Sequence, residues 1–129
     1  MIKKYVKILP LAAIFLAMTA QADIELADNS TILGKWKMHD ESIKLHGDKK
    51  HVDVTWEFKP DFTLQTTLED KQGRVSDMKI AIKYSIENGG IKRQTSPGRE
   101  KYELCKVVER EGNEMVLKCT YYFYLTKTN

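Results

Sequence analysis

The chain has 129 residues, of which 42% are hydrophobic and 30% charged, with 21 Lys and Arg against 18 Asp and Glu. This length suits one domain, and the composition excludes a disordered or low-complexity chain. Its two cysteines have no Cys-x-x-Cys spacing, which argues against redox catalysis.

Residues 1–22 have the layout of a secretory signal peptide. Three lysines precede an apolar run from Ile8 to Met18, and Ala20-Gln21-Ala22 supplies the small-x-small pattern of a cleavage site. The apolar run is about half of the ~20 residues that a membrane-spanning helix needs. We therefore expect cleavage after Ala22, a periplasmic or secreted mature protein, and no membrane anchor after cleavage.

Cleavage would also remove the net positive charge of the chain. The three leader lysines leave 18 basic residues against 18 acidic ones in the remaining 107 residues, a net charge of zero. A nucleic-acid surface needs clustered excess cations, whereas acids and bases alternate along the predicted strands here. We expect no nucleic-acid partner.

A short N-terminal segment, residues 23–33, precedes the domain at residues 34–129. Only Ile24 to Leu33 has helical potential, and Asn29 or Ser30 can cap a single helical turn there. The sequence therefore predicts a short helical turn before the first strand.

The domain is dominated by alternation of apolar and polar residues with a period of two, which is typical of strands with one buried face. Turn residues separate the alternating segments, and about seven or eight short strands result. This pattern predicts an all-β domain, a barrel or a sandwich. After the first strand, the predicted strand segments are Val52–Phe58, Phe62–Leu68, Met78–Ile86, Ile91–Thr95, Tyr102–Arg110 and Met115–Leu125.

The first strand changes its parity. Trp36 and Met38 share one face of a regular strand, whereas Ile43 and Leu45 share the other. A bend or bulge near Asp40–Ser42 is therefore expected.

Gly34-Lys35-Trp36 resembles the Gly-x-Trp signature of lipocalin-like proteins. Trp56 to Asp61 resembles the strand and turn that follow in short bacterial lipocalin-like domains, and Phe62 stands where those domains often have glycine. The last two segments resemble that family's final hairpin, so the resemblance covers nearly all of Leu33 to Lys127.

The resemblance implies a single antiparallel up-and-down β-barrel. Gly34 and Trp36 would close one end of it, and Lys127 would lie over the indole where larger relatives carry arginine. An ammonium group there makes a cation–π contact without the planar stacking of a guanidinium.

The two cysteines flank the turn at Gly112. One hairpin register places Cys105 opposite Cys119, close enough for a disulfide. A register shifted by one residue places Lys106 opposite Cys119 and forbids the bridge. We predict the disulfide, because the expected compartment is oxidising.

Three histidines, His39, His46 and His51, lie close together in the sequence. Imidazoles in an exported protein can hold copper or zinc, and these three would be the ligands. Their spacing matches no ligand motif and lysines adjoin them, so we expect surface histidines and no metal or other cofactor.

Catalytic motifs are missing from the sequence. No serine lies in a Gly-x-Ser-x-Gly elbow, and Asn88-Gly89-Gly90 is better explained as a hairpin turn than as a phosphate loop. We expect a protein that is not an enzyme.

The leading functional prediction is binding of a small apolar or amphipathic ligand inside the barrel, oriented by the hydroxyl of Tyr84 or Tyr121. The same wall residues would simply fill the core if there is no cavity. The predicted wall residues are Trp56, Phe58, Leu64, Ile80, Ile82, Tyr84, Tyr121 and Phe123.

The alternative is a periplasmic protein-interaction module, an inhibitor or accessory subunit, with a filled barrel. Tyr122 and Tyr124 would lie on the outer face with Tyr102 of the partner strand and contact a protein partner there. Tyrosines paired on an outer face also stabilise a sheet without any partner.

Overall fold

The computed structural model describes residues 23–128 of the chain. The predicted signal peptide, residues 1–22, lies outside the described residues. Within the described range, no helix is long and apolar enough to cross a membrane.

Eight strands form one closed antiparallel barrel, in which each strand pairs with the next and β1 pairs with β8. The closure confirms the up-and-down barrel and excludes the sandwich. The strands are β1 Gly34–Ser42, β2 Lys49–Phe58, β3 Thr63–Leu68, β4 Met78–Glu87, β5 Gly90–Gln94, β6 Tyr102–Glu111, β7 Glu114–Lys118 and β8 Tyr122–Lys127.

A bulge in β1 confirms the predicted change of parity. The register of β1 with both of its neighbours shifts between Met38 and Asp40, slightly before the predicted position. The extra residue bends the strand. Met38 points into the barrel beside Trp36, and beyond the bulge the parity of the inward-facing residues is reversed.

Phe62 occupies a glycine-like position. Its φ of 66° lies in the left-handed region, where glycine is the favoured residue. The amide of Phe62 donates to the carbonyl of Lys59 and closes the β2–β3 turn. Its ring lies 5.4 Å from the ring of Tyr84, a contact that glycine could not make.

The predicted single strand from Met115 to Leu125 is wrong. The chain turns at residues 119–121, where the amide of Cys119 donates to the carbonyl of Tyr121, and β7 and β8 lie on either side. This turn has no glycine or proline, so its composition gave no signal.

The hairpin of β6 and β7 uses both predicted registers. Next to the turn, Arg110 lies opposite Met115, which is the shifted register. A bulge between Val107 and Glu109 then restores the other register, and Val107 lies opposite Leu117. Beyond it, Cys105 and Cys119 form a disulfide with their Cα atoms 4.3 Å apart, as predicted.

The N-terminal segment runs along the end of the barrel where β1 begins. The amide of Ile24 donates to the carbonyl of Val107, and that of Leu26 donates to Gly89. In place of a helical turn, the chain forms one hydrogen-bonded turn from Asn29 to Ile32, and the described residues contain no helix. Ile32 is fully buried and joins the core.

Candidate functional site

The end of the barrel where β1 begins is closed by Trp36. Its side chain is fully buried, and its Nε1 donates to the carbonyl of Ile32 at 2.8 Å. The Nζ of Lys127 lies 5.7 Å from the ring centroid, as the resemblance implied. The guanidinium carbon of Arg110 lies nearer, at 4.9 Å, and this side chain also donates to the carbonyl of Thr31.

Arg110 is a residue that sequence reasoning missed. On a regular β6, it would face outward, because Val107 faces inward. The bulge between Val107 and Glu109 reverses this parity and turns Arg110 toward Trp36. The sealing guanidinium is therefore present, but it comes from β6 and not from the last strand.

The middle of the barrel is filled by aromatic side chains. Trp56 meets Phe58 and Phe123 edge to face, with ring centroids 6.0 and 5.7 Å apart, and Phe58 meets Tyr84 at 5.1 Å. These four residues are all buried. The predicted wall therefore forms a packed core at this level and does not enclose a ligand.

The remaining wall residues divide into two groups. Leu64 and Ile82 are buried and Ile80 is partly buried against them, as predicted. Tyr121 was predicted to face the interior, and this is wrong: it lies in the β7–β8 turn and is 47% exposed. The assumption of one long strand placed it on the wrong face.

The hydroxyl of Tyr84 makes two hydrogen bonds at the closed end of the barrel. It donates to the carbonyl of Lys59 at 2.8 Å and accepts from the side-chain amide of Asn29 at 3.1 Å. Burial raises the pKa of this phenol above its ordinary value. Because both hydrogen bonds tie β4 to neighbouring segments, this group is not available to orient a ligand.

The opposite end has a polar floor that sequence reasoning missed. Arg93 and Glu103 lie opposite each other on the inward faces of β5 and β6, and their Nη2 and Oε1 atoms are 3.0 Å apart. The guanidinium carbon lies 4.9 Å from the ring centroid of Trp56. Glu103 also accepts from the hydroxyl of Thr120 at 3.1 Å. The alternation through Ile91 would have predicted that Arg93 faces inward.

Exposed apolar side chains surround this end, which we call the mouth. They come from the loops and strand ends between β1 and β2, β3 and β4, and β7 and β8. Among them, Leu68 lies opposite Met78, and Ile43 and Tyr121 line one cleft. Neighbouring exposed apolar side chains typically mark an interaction site. The members of this apolar rim are Ile43, Leu68, Val75, Met78 and Tyr121.

A cleft of about 250 Å³ lies between the β1–β2 loop and the β7–β8 turn at the mouth. Ile43 and Tyr121 give it an apolar wall, so Tyr121 lines a cleft although it does not face the interior. The other lining residues are Glu41, Ser42, Asp48 and Lys50.

The β1–β2 loop is held by Tyr124. The hydroxyl of Tyr124 accepts from the amide of His46 and lies 2.9 Å from the Oγ of Ser42. Because that Oγ donates to the carbonyl of Lys44, the phenol donates to Ser42. Tyr124 is only 5% exposed. The prediction that it presents an outer aromatic surface is wrong, because the loop covers it.

Replacing Tyr124 by phenylalanine tests this anchor. We expect the free energy of unfolding to fall by about 1–3 kcal/mol, because the amide of His46 and the Oγ of Ser42 lose a buried partner. Urea denaturation measures it. Tyr122→Phe, a change at a half-buried position of the same strand, is the control and should cost less than about 0.5 kcal/mol. If both substitutions lowered the free energy of unfolding equally, the hydroxyl of Tyr124 would not be what holds the β1–β2 loop.

The three histidines pair with three different carboxylates. His39 contacts Asp40 at 2.7 Å, His46 contacts Glu109 at 2.7 Å, and His51 contacts Asp53 at 3.0 Å. No histidine joins a group of three metal-ligating atoms within 4.8 Å of one another in residues 23–128. The group that meets this distance is Glu103 with the two cysteines, and the disulfide takes up both sulfur atoms.

A second cleft, of about 340 Å³, lies on the outer wall of the barrel. Its lining is polar, with Thr55, Gln65, Thr67 and Glu69 among its members. Hydrogen bonding from Lys37 lowers the pKa of Glu69 below its ordinary value. Glu69 already accepts from Thr55 and Lys37, and the mouth offers the better apolar site.

The comparison with solved structures agrees with this architecture. A lipocalin-like protein from Bacteroides uniformis matches with a TM-score of 0.62 and 17% identity, over 75% of this chain and 98% of that chain. The chain has a lipocalin-like fold. An uncharacterized protein from Bacteroides eggerthii matches this lipocalin-like barrel with a TM-score of 0.60 and 17% identity, over 74% of this chain and 98% of that one.

At 17% identity, these likenesses establish the fold alone. No protein-family model matches the chain, and no curated protein matches it. What the lipocalin-like barrel binds must therefore be argued from its own side chains.

Proposed function

We propose that this protein binds a small amphipathic ligand at the mouth of its lipocalin-like barrel. The observation that carries the proposal is the apolar rim around one end of the barrel. Of the nine exposed large hydrophobic side chains in residues 23–128, five lie there, and the other end is sealed by Trp36. Burying this rim against the apolar part of a ligand provides the driving force.

The ligand lies at the mouth and not deep in the barrel. The aromatic residues around Trp56 pack against one another, and Arg93 covers them on the side of the mouth. The cleft of about 250 Å³ is smaller than most drug-sized pockets. A single acyl chain laid along Ile43 and Tyr121 fits these dimensions better than a bulky ring system.

The proposed role is one of binding without catalysis, in the periplasm or outside the cell. The layout of residues 1–22 supports export. The disulfide supports an oxidising compartment, because such bonds rarely persist in the cytosol.

Tyr121→Ser tests the proposed site. With the uncharged fluorescent probe N-phenylnaphthylamine, we expect roughly tenfold weaker binding, because about 50–60 Å² of apolar contact is lost. Tyr102→Ser, at another exposed tyrosine on the outer face of β6, is the matched control and should bind like the unmodified protein.

Two results would contradict the proposal. One is that the unmodified protein does not bind the probe. The other is that Tyr121→Ser and Tyr102→Ser have equal effects, since the rim then contributes nothing specific. If the rim captures a protein and not a small molecule, pull-down from the host should succeed where the probe fails.

A further inference from the structure

We infer that the polar end of this ligand carries an uncharged oxygen acceptor, such as an ester or amide carbonyl, which hydrogen-bonds to the Nε–H of Arg93. This inference rests on the proposed function and adds the chemical class of the ligand to it.

Arg93 has a buried donor that no described residue uses. A guanidinium group has five N–H donors in a fixed fork. One of them is used on Glu103, while the Nε atom is buried and has no hydrogen-bond partner among the described residues. A buried donor without a partner is costly, so a ligand oxygen that reaches it gains more than it would in water.

The charges near the mouth favour an uncharged acceptor over an anionic one. The carboxylate of Glu103 already neutralises the guanidinium at 3.0 Å. The charged residues that line the cleft are Glu41, Asp48 and Lys50. Together with the pair of Arg93 and Glu103, the groups around the proposed ligand carry three negative and two positive charges. A carboxylate on the ligand would be repelled, whereas a carbonyl accepts from Arg93 without that penalty.

The β7–β8 turn connects the pair of Arg93 and Glu103 with the apolar cleft. Thr120 donates to Glu103, and Tyr121, the next residue, lines the apolar cleft. The turn that carries both residues is held at Cys119 by the disulfide to Cys105. The residue that bonds to Glu103 and the residue that lines the cleft are thus neighbours in one turn, and we place the polar end of the ligand at Arg93 and its chain against Tyr121 and Ile43.

The experiment compares two probes with the same acyl chain, monolauroylglycerol and laurate, each below its aggregation concentration. We expect the ester to bind at least tenfold more tightly than the carboxylate. In ¹H–¹⁵N NMR spectra of the labelled protein, the ester should also shift the Nε–H signal of Arg93.

Arg93→Lys is the decisive variant. It keeps the charge beside Glu103 but removes the Nε–H. We expect it to lose the preference for the ester and to retain binding of N-phenylnaphthylamine. Arg74→Lys, at an exposed arginine paired with Asp70 on the β3–β4 loop, is the control and should keep the preference.

The inference is overturned if laurate binds as tightly as monolauroylglycerol, or if the Nε–H signal of Arg93 stays unshifted when the ester binds. Retained binding of N-phenylnaphthylamine in that case leaves the proposed function intact. Loss of all three probes, the ester, the carboxylate and the naphthylamine, overturns the proposed function together with the inference.

Discussion

Replacing both cysteines by alanine lowers the free energy of unfolding by about 3 kcal/mol. The Cys105–Cys119 disulfide closes a loop of 15 residues, counting both ends, and constrains the unfolded chain accordingly. It also fixes the β7–β8 turn, which has no glycine or proline of its own. For a domain of this size, we expect the Tm to fall by roughly 12–24 °C in a calorimetric scan.

Reductant provides the control for this prediction. It should destabilise the unmodified protein by a similar amount and leave the Cys105→Ala, Cys119→Ala variant unchanged. A loss below about 1 kcal/mol in the variant would contradict the argument, because the bridge would then contribute little beyond the barrel's own pairing.

Trp36→Ala has the largest effect that we expect from a single substitution, a loss of about 3–5 kcal/mol. The indole is fully buried, donates to the carbonyl of Ile32, and lies under both Arg110 and Lys127. Its removal leaves a cavity and an unpaired carbonyl beneath two cations. Urea denaturation followed by far-ultraviolet circular dichroism measures the loss.

Trp36→Phe separates the contribution of the hydrogen bond to Ile32 from that of the buried apolar volume. It keeps most of the apolar volume and loses the donor to Ile32, so we expect a loss of about 1–2 kcal/mol. If Trp36→Ala and Trp36→Phe proved equally mild, Trp36 would not be the seal of the closed end.

Much of the fold could be predicted from the sequence, because alternation and turn residues are local signals. The β2–β3 and β4–β5 hairpins follow from Pro60-Asp61 and Asn88-Gly89-Gly90, which set their turns without long-range information. The disulfide also followed from spacing and compartment. Its hairpin required a bulge, which combined two registers that had been treated as alternatives.

The residues at the two ends of the barrel were harder to predict. Arg110 faces inward only because the β6 bulge changes its parity, and Tyr124 is buried only because the β1–β2 loop folds back over it. Both placements depend on tertiary structure, so the alternation of apolar and polar residues along the sequence does not reveal them.

The candidate site could also be predicted only in part from the sequence. The predicted wall residues Trp56, Phe58 and Phe123 do face the interior, but whether they enclose a space depends on how they pack together. The rim could not be recognised from the sequence, because Ile43, Val75 and Tyr121 come from separate loops. Only barrel closure brings them to one end.

Native mass spectrometry of the protein purified from its own host decides whether the mouth of the barrel holds a ligand. We expect a non-covalently bound small molecule on the unmodified protein, lost on Tyr121→Ser and retained on Tyr102→Ser. A spectrum of the chain without any bound molecule, or of a complex with a second protein only, would contradict it.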